Sequence, residues 1–251
     1  MMDLTGKVAL ITGGSRGIGA ATAELLARVG ADIALTYASN KGAAERVASE
    51  VRSFGPDCLT LKANAAKMSD VRSAVKQTLK RFGRIDILVN NAGIWKYGAI
   101  GKMTERQWDE TLDVNLKGTF LFTNEVVPIM KKKRWGRIIN IASTAGQRGE
   151  AFHSHYAASK GAMFAFTKSI GVELAPFGIL ANCVAPGWVD TDMSASSLRT
   201  SRSRAILKTI PNGRAATAED IAGAVLFLAS EFSIHLVGST LSVNGGGVMV
   251  G

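Results

Sequence analysis

The feature that most constrains this chain is an alternation that runs along its whole length. Short β-branched runs ending in small residues recur seven times: "VALIT" (8–12), "DIALTY" (32–37), "CLTLKA" (58–63), "IDILVNN" (85–91), "RIINIAS" (137–143), "ILANCVAP" (179–186) and "TLSVNG" (240–245). Amphipathic stretches of helical period lie between them, including 19–29, 41–54, 69–82 and one long helix over 104–133. Gly30, Gly55, Gly83 and Gly178 each follow a helical run where a C-cap belongs. Thr104 with Gln107 has the form of a capping box opening the long helix.

Strands that alternate with helices are joined by right-handed crossovers, which places the strands parallel and buries both faces of their sheet. The expected architecture is α/β: a single doubly wound (Rossmann) domain with a seven-stranded parallel sheet, spanning 1–251 with no linker, repeat or low-complexity segment. A closed (β/α)₈ barrel is the architectural rival, and the glycine-rich loop after the first strand favours the open sheet. One segment breaks the rhythm. Residues 188–212 are rich in Ser and Arg and too long for a plain connection. They leave the carboxyl end of the sixth strand, where ligands sit in open α/β sheets, and read as a substrate lid.

The loop is "GGSRGIG" (13–19), with the spacing Gly13-x-x-x-Gly17-x-Gly19. At the first strand-to-helix turn, glycines let the backbone approach a pyrophosphate, and the helix N-terminus supplies N–H groups and a positive dipole. Gly13, Ser15, Arg16, Gly17, Ile18 and Gly19 are therefore candidate cofactor contacts. An NAD site carries an acid about 20 residues further on, at the end of the second strand. Here that strand ends "TYASNK" (36–41), with no carboxylate. Tyr37, Ala38 and Ser39 would border the cofactor ribose, Ser39 and Asn40 can donate hydrogen bonds, and Arg16 with Lys41 would attract a 2′-phosphate. The expected cofactor is NADP(H) in preference to NAD(H).

Tyr156 and Lys160 in "HYAASKG" (155–161) lie four residues apart on one helical face. Their helix, 154–175, is apolar nearly all round, so it is expected to be mostly buried. An ammonium beside a phenol would lower the phenol pKa from about 10 and make Tyr156 an acid or base near neutral pH. Ser143 ends the fifth strand, where its hydroxyl would bind a carbonyl or alkoxide oxygen. Asn115 lies within a helix that Asn does not favour, a sign of polar duty.

Charge and cysteine content bound the partners. Thirty basic against 20 acidic residues leave a net charge of +10, clustered at 131–137 and 197–204. Neither cluster interleaves with stacking aromatics, which argues against nucleic acid and leaves solubility or an anionic ligand. Cys58 and Cys183 have no Cys or His at ligand spacing; they read as reduced core thiols, with no metal site and a cytoplasmic home. No stretch approaches the roughly 18 apolar residues of a membrane span, and the acid in "MMDLTGK" is unlike a signal peptide.

These motifs together resemble the short-chain dehydrogenases/reductases over essentially the whole chain. The loop at 13–19 is similar to that family's cofactor loop, and "NNAG" (90–93) to its strand-four motif. Asn115, Ser143, Tyr156 and Lys160 match its catalytic four, and "PGWVDT" (186–191) its nicotinamide segment. The resemblance implies that Tyr156 protonates the carbonyl oxygen as hydride arrives. Lys160 would lower its pKa and bind the nicotinamide ribose, Ser143 would orient the substrate, and Asn115 would hold a relay water. It further implies cofactor contacts from Asn64, Ala65, Asn91, Ala92, Gly93, Pro186, Gly187, Val189 and Thr191. Trp95, Arg148, His153 and Trp188 would line the substrate pocket. Within the family the chain most resembles 3-oxoacyl-(acyl-carrier-protein) reductases of fatty acid biosynthesis, which dock an acidic carrier. Arg134 stands at their docking arginine, whereas Phe177 replaces a second docking base. The family also implies a homotetramer that covers the outer face of the Tyr156 helix. Two alternatives remain: an NAD(P)-dependent dehydrogenase of a sugar, polyol or small secondary alcohol, and a non-catalytic NADP-sensing regulator.

Overall fold

The computed structural model describes residues 2–200 and 203–250. Seven strands form one parallel sheet: β1 (Val8–Ile11), β2 (Asp32–Tyr37), β3 (Cys58–Lys62), β4 (Ile87–Asn90), β5 (Gly136–Ile141), β6 (Ile179–Pro186) and β7 (Thr240–Val243). Their spatial order is β3-β2-β1-β4-β5-β6-β7, so the chain reverses direction of growth between β1 and β4, and the sheet is open rather than a closed barrel. Helices cover both faces. Helices α1 (Gly17–Arg28) and α2 (Lys41–Ser53) pack with a late helix, α10 (Ala218–Ala229), against one face. The other face is covered by α3 (Met68–Phe82), α5 (Gly118–Lys133) and α7 (Ser154–Leu174). The inner strands are buried along their whole length, as a sheet sandwiched between two helical layers requires. The four glycines expected to end helices all adopt positive φ, between 71° and 110°.

The stretch 104–133 is not one helix. It divides into α4 (Glu105–Leu112), a π-helical turn over Asp113–Lys117, and α5. The expected capping box at its start is present, with Thr104 and Gln107 bonding each other's backbone. Wide turns of this kind hold an extra residue and often occur at functional sites. Here the wide turn carries Asn115, which is fully buried. It also seats Gly118 against Ala65, where a Cβ would lie 3.0 Å from the Ala65 Cβ. Hydrophobic periodicity does not register a single widened turn, so the sequence reads as continuous helix.

The segment 188–212 leaves β6 and folds into α8 (Ala195–Leu198) and α9 (Ser203–Leu207), with α6 (Thr144–Arg148) between β5 and α7 completing the helices. Ser201 and Arg202, part of the expected lid, lie outside the described residues. The start of the segment is pinned. Ala216 N donates to Trp188 O, and Asp190 N donates to Ala216 O, both at 2.8 Å. The Ser194 hydroxyl bonds the Val189 carbonyl and, at 3.1 Å, the Thr191 carbonyl.

Candidate active site

The first loop is stitched to the end of β4. Thr12 Oγ1 accepts hydrogen bonds from Asn91 N and Ala92 N, at 3.0 and 2.9 Å. The Asn91 amide donates back to the carbonyls of Thr12 and Gly13, at 2.9 and 3.0 Å. Gly13 turns the chain at φ 66°, and a Cβ there would stand 3.0 Å from Ala92 Cα. A Cβ on Gly19 would collide with the Gly13 carbonyl and lie 2.6 Å from the Asn91 amide nitrogen. Only hydrogen at both positions permits a backbone cradle at the N-terminus of α1, whose first turn holds no acid. Such a cradle suits a pyrophosphate.

At the end of β2, Tyr37 is buried while Ala38, Ser39 and Asn40 are exposed. Asn40 spends its side-chain oxygen capping α2, accepting from Ala43 N at 2.9 Å. Arg16 does not point to this edge. Its guanidinium pairs with Asp192 at 3.5 Å, and both side chains are well exposed. Asn64 folds back onto its own turn, its side-chain oxygen accepting from Ala66 N at 3.0 Å. Ala65 is buried beneath α5.

A pocket of about 140 Å³ opens at the carboxyl edge of the sheet. Of the expected residues, Ile18, Asn91, Gly93, Trp95, Ser143, Arg148, Tyr156, Lys160, Pro186, Gly187, Trp188, Val189 and Thr191 line it. His153 does not; it stacks on Trp95, with ring centroids 4.5 Å apart. Asn115 stands behind the wall. Its side-chain oxygen accepts from Ile94 N at 2.8 Å, and its amide donates to Ile94 O at 3.0 Å and to Ser159 Oγ at 3.1 Å. Ser159 Oγ in turn donates to Tyr156 O at 2.7 Å, so Asn115 ties the β4 loop to the turn of α7 that carries Tyr156. Gly93 leaves open the space beside Lys160, since a Cβ there would lie 3.6 Å from Nζ. Ser143 falls past the end of β5, where it caps α6 by accepting from Ala145 N at 3.1 Å. The sequence pattern missed Glu150, Met193 and Ser194, which also line the pocket. Glu150 had one signal: it is the sole acid between Ser143 and Tyr156.

The electrostatics differ from the expected lysine-lowered phenol. Burial pushes the Tyr156 phenol up to about 12, a hydrogen bond with the Ser143 side chain draws it down, and the Glu150 charge raises it further. Lys160 Nζ lies 5.9 Å from the Tyr156 ring centroid and donates at 2.6 Å to the Ile141 carbonyl. Burial pushes the ammonium itself down to about 8. Desolvation thus dominates both groups, and near neutral pH the site pairs a protonated phenol with a charged ammonium. A protonated phenol is the form that donates to a developing alkoxide.

The family described as Enoyl-(Acyl carrier protein) reductase matches residues 13–247. The chain belongs to the short-chain dehydrogenase/reductase family. It is 41% identical over 250 residues to a 3-oxoacyl-(acyl-carrier-protein) reductase of Synechocystis, covering 99% of this chain and 100% of that one. It is 40% identical to the Staphylococcus epidermidis enzyme of that name, covering 96% and 98%. It is 41% identical to that of Vibrio cholerae, covering 99% and 100%. The crystal structure of levodione reductase superposes with a TM-score of 0.91 at 33% identity, over 96% of this chain and 97% of that one. As a short-chain dehydrogenase/reductase the chain is a nicotinamide-dependent oxidoreductase, and the glycine cradle between β1 and α1 fits such a cofactor. Among the described residues no cluster of His, Cys, Asp or Glu could hold a metal ion. Both cysteines are free and buried.

Proposed function

We propose that this short-chain dehydrogenase/reductase reduces the carbonyl of a 3-oxoacyl thioester with NADPH. The observation that carries the chemistry is the meeting of Tyr156, Ser143 and Lys160 in one pocket beside the glycine cradle. The cofactor, when bound, supplies the hydride. Tyr156 Oη delivers the proton to the carbonyl oxygen, and the Ser143 hydroxyl, which hydrogen-bonds the phenol in the structure, would turn its own proton to that oxygen when substrate is bound. Lys160 holds a positive charge nearby and would bind the nicotinamide ribose, while Asn115 fixes the turn that carries Tyr156 and would hold the relay water. Val189 and Thr191 would hold the carboxamide, and 188–212 would close as the lid. A non-catalytic sensor would have no use for this constellation.

Relatives of about two-fifths identity over the whole chain, all named for 3-oxoacyl-(acyl-carrier-protein) substrates, support the thioester. A basic surface supports an acidic carrier: Lys131, Lys132 and Lys133 lie in the last turn of α5 beside Arg134, and Lys131 stands over Phe177 at 4.3 Å. The second reading, dehydrogenation of a sugar or polyol, is favoured by one observation, the Glu150 carboxylate in the pocket wall. For the cofactor, the acid-free first turn of α2 beside exposed Ser39 and Lys41 supports NADPH, and the solvent-exposed Arg16–Asp192 pair is weak enough to exchange for a phosphate.

The purified protein is expected to oxidise NADPH with an acetoacetyl thioester at least about tenfold more efficiently than NADH, the worth of one charge-assisted contact. Arg16→Ala should erase most of that margin and leave NADH kinetics within about twofold. Activity only on polyols with NAD would sink the acyl reading, and equal losses on both cofactors would show that Arg16 does not read the phosphate.

The homotetramer is supported by apolar side chains left open on the outer helices: Trp108 on α4, Phe120 on α5 and Val172 on α7 are 40%, 46% and 74% exposed. Light scattering should return the mass of four chains; a monomer would contradict it. Among the described residues no helix is long and apolar enough to cross a membrane, and a cytoplasmic location is consistent with that and with the free thiols.

A further inference from the structure

We propose that the pocket selects ketones bearing a hydroxyl next to the carbonyl carbon, with the free oxygen of Glu150 accepting that hydroxyl's hydrogen bond. The inference rests on the reading that Tyr156 reduces a ketone in this pocket, and not on the thioester.

Glu150 lines the same cavity as Tyr156 and Ser143, with its side chain only 23% exposed. Its two oxygens are used unequally. Oε2 accepts from the Trp95 indole N–H at 3.2 Å. Oε1 stands 3.9 Å from His153 Nδ1, an ion-pair distance when the imidazole is protonated but beyond hydrogen-bond reach, and that nitrogen lies 3.1 Å from the Ala151 carbonyl. Among the described residues Oε1 receives no hydrogen bond. A carboxylate held in place with an unfilled acceptor seeks a donor, and Glu150 lines the pocket in which a substrate donor would sit.

The neighbours keep this carboxylate where it is. Trp95 is clamped between His153, stacked at 15° to it, and the edge of Trp188 at 5.9 Å. The indole N–H therefore holds Oε2 in a fixed direction, which leaves Oε1 to the substrate. A saturated alkyl group placed against Oε1 would strip its water and return no hydrogen bond. A hydroxyl on the carbon next to the carbonyl would fill the acceptor, while the carbonyl itself meets Tyr156 and Ser143. Sites built to bond a hydroxyl discriminate strongly against analogues that lack it. The Glu150 charge also favours the protonated Tyr156 that reduction needs. The same chemistry has two sources, a small free hydroxyketone or a hydroxylated 3-oxoacyl chain.

The test compares hydroxyacetone with butanone, which replaces the hydroxyl by a methyl, using NADPH and the full-length protein. The expected result is a kcat/KM at least about tenfold higher for hydroxyacetone. Glu150→Leu should bring the hydroxyacetone-to-butanone ratio of kcat/KM to about one, and Glu150→Gln, which keeps a carbonyl acceptor, should retain part of it. In a parallel arm, acetoacetyl thioester is compared with its terminally hydroxylated analogue. The same preference there assigns the hydroxyl to an acyl chain, and a preference confined to the free ketones assigns it to a small hydroxyketone. Equal turnover of hydroxyacetone and butanone would overturn the proposal. So would a Glu150→Leu variant that slows both ketones alike, because Glu150 would then only be holding Trp95. No turnover of any ketone or thioester would sink the parent reading together with this one.

Discussion

Tyr156→Phe is expected to cut ketone reduction about a thousandfold while leaving the dissociation constant for NADPH within about threefold. The substitution removes one oxygen from a ring that otherwise keeps its place in the wall, and a positioned general acid contributes roughly 10²- to 10⁴-fold. The neighbouring Ser143 hydroxyl is a far weaker acid than a phenol, and Lys160 is committed to the Ile141 carbonyl. The pH profile adds a second signature. Burial pushes Tyr156 up to about 12, so its proton is in place throughout the neutral range. Lys160 is pushed down to about 8, so its charge is present below that pH and is lost above it. Reduction by the wild type should therefore be level below about pH 8 and decline above it. Stopped-flow hydride transfer and fluorescence titration of NADPH would check both. Unchanged turnover in the phenylalanine variant would refute the mechanism, and a rate that instead rises through pH 8 would show that the ammonium is not needed.

Gly146→Ala is the second large effect. Gly146 sits in α6, where a Cβ would lie 2.5 Å from the Lys160 carbonyl carbon and 2.6 Å from Gly161 N. Both are backbone atoms of α7 and cannot rotate away. Helices α6 and α7 must separate to admit the methyl, at a cost of about 1–3 kcal/mol. Ser143 caps one of these helices and Tyr156 rides on the other, so the separation moves the two apart. A misplacement of about 1 Å costs on the order of a hundredfold in rate. The expected outcome is a loss of about that size in kcat, with a lowered melting temperature. Gly161→Ala is the control. Its Cβ would meet the Gly146 carbonyl at 3.2 Å, a contact that a few tenths of an ångström relieve, and its loss should stay within about tenfold. Equal rates in wild type and Gly146→Ala would show that this close crossing does not set the Ser143–Tyr156 geometry.

Much of the fold was legible because alternating periods of two kinds leave few architectures open. Seven apolar runs separated by amphipathic stretches lead to a parallel sheet, and the seven observed strands fall within a residue or two of those runs. The one helix read wrongly, 104–133, failed for a definite reason: a π turn around Asn115 changes the phase by one residue without changing the residue types. Arg16 was read toward the second strand because loop spacing places its backbone there; the structure adds what spacing does not show, that its side chain pairs with Asp192, 176 positions away in sequence and 3.5 Å away in space, a contact a 2′-phosphate would displace.

Sequence by itself determined the strand count, the glycine-rich loop and the pairing of Tyr156 with Lys160 on one helical face, because spacing along one chain is enough to specify a turn or a face; Ser143 and Asn115 joined them as a set only through the resemblance to the family. Tertiary structure alone decided the charge state of that set and the character of the pocket. Desolvation depends on every atom around a group, so only the folded chain shows the phenol raised to about 12 and the ammonium lowered to about 8. Only the fold brings the lone acid between Ser143 and Tyr156 into the pocket wall and pins one of its carboxylate oxygens with the Trp95 indole.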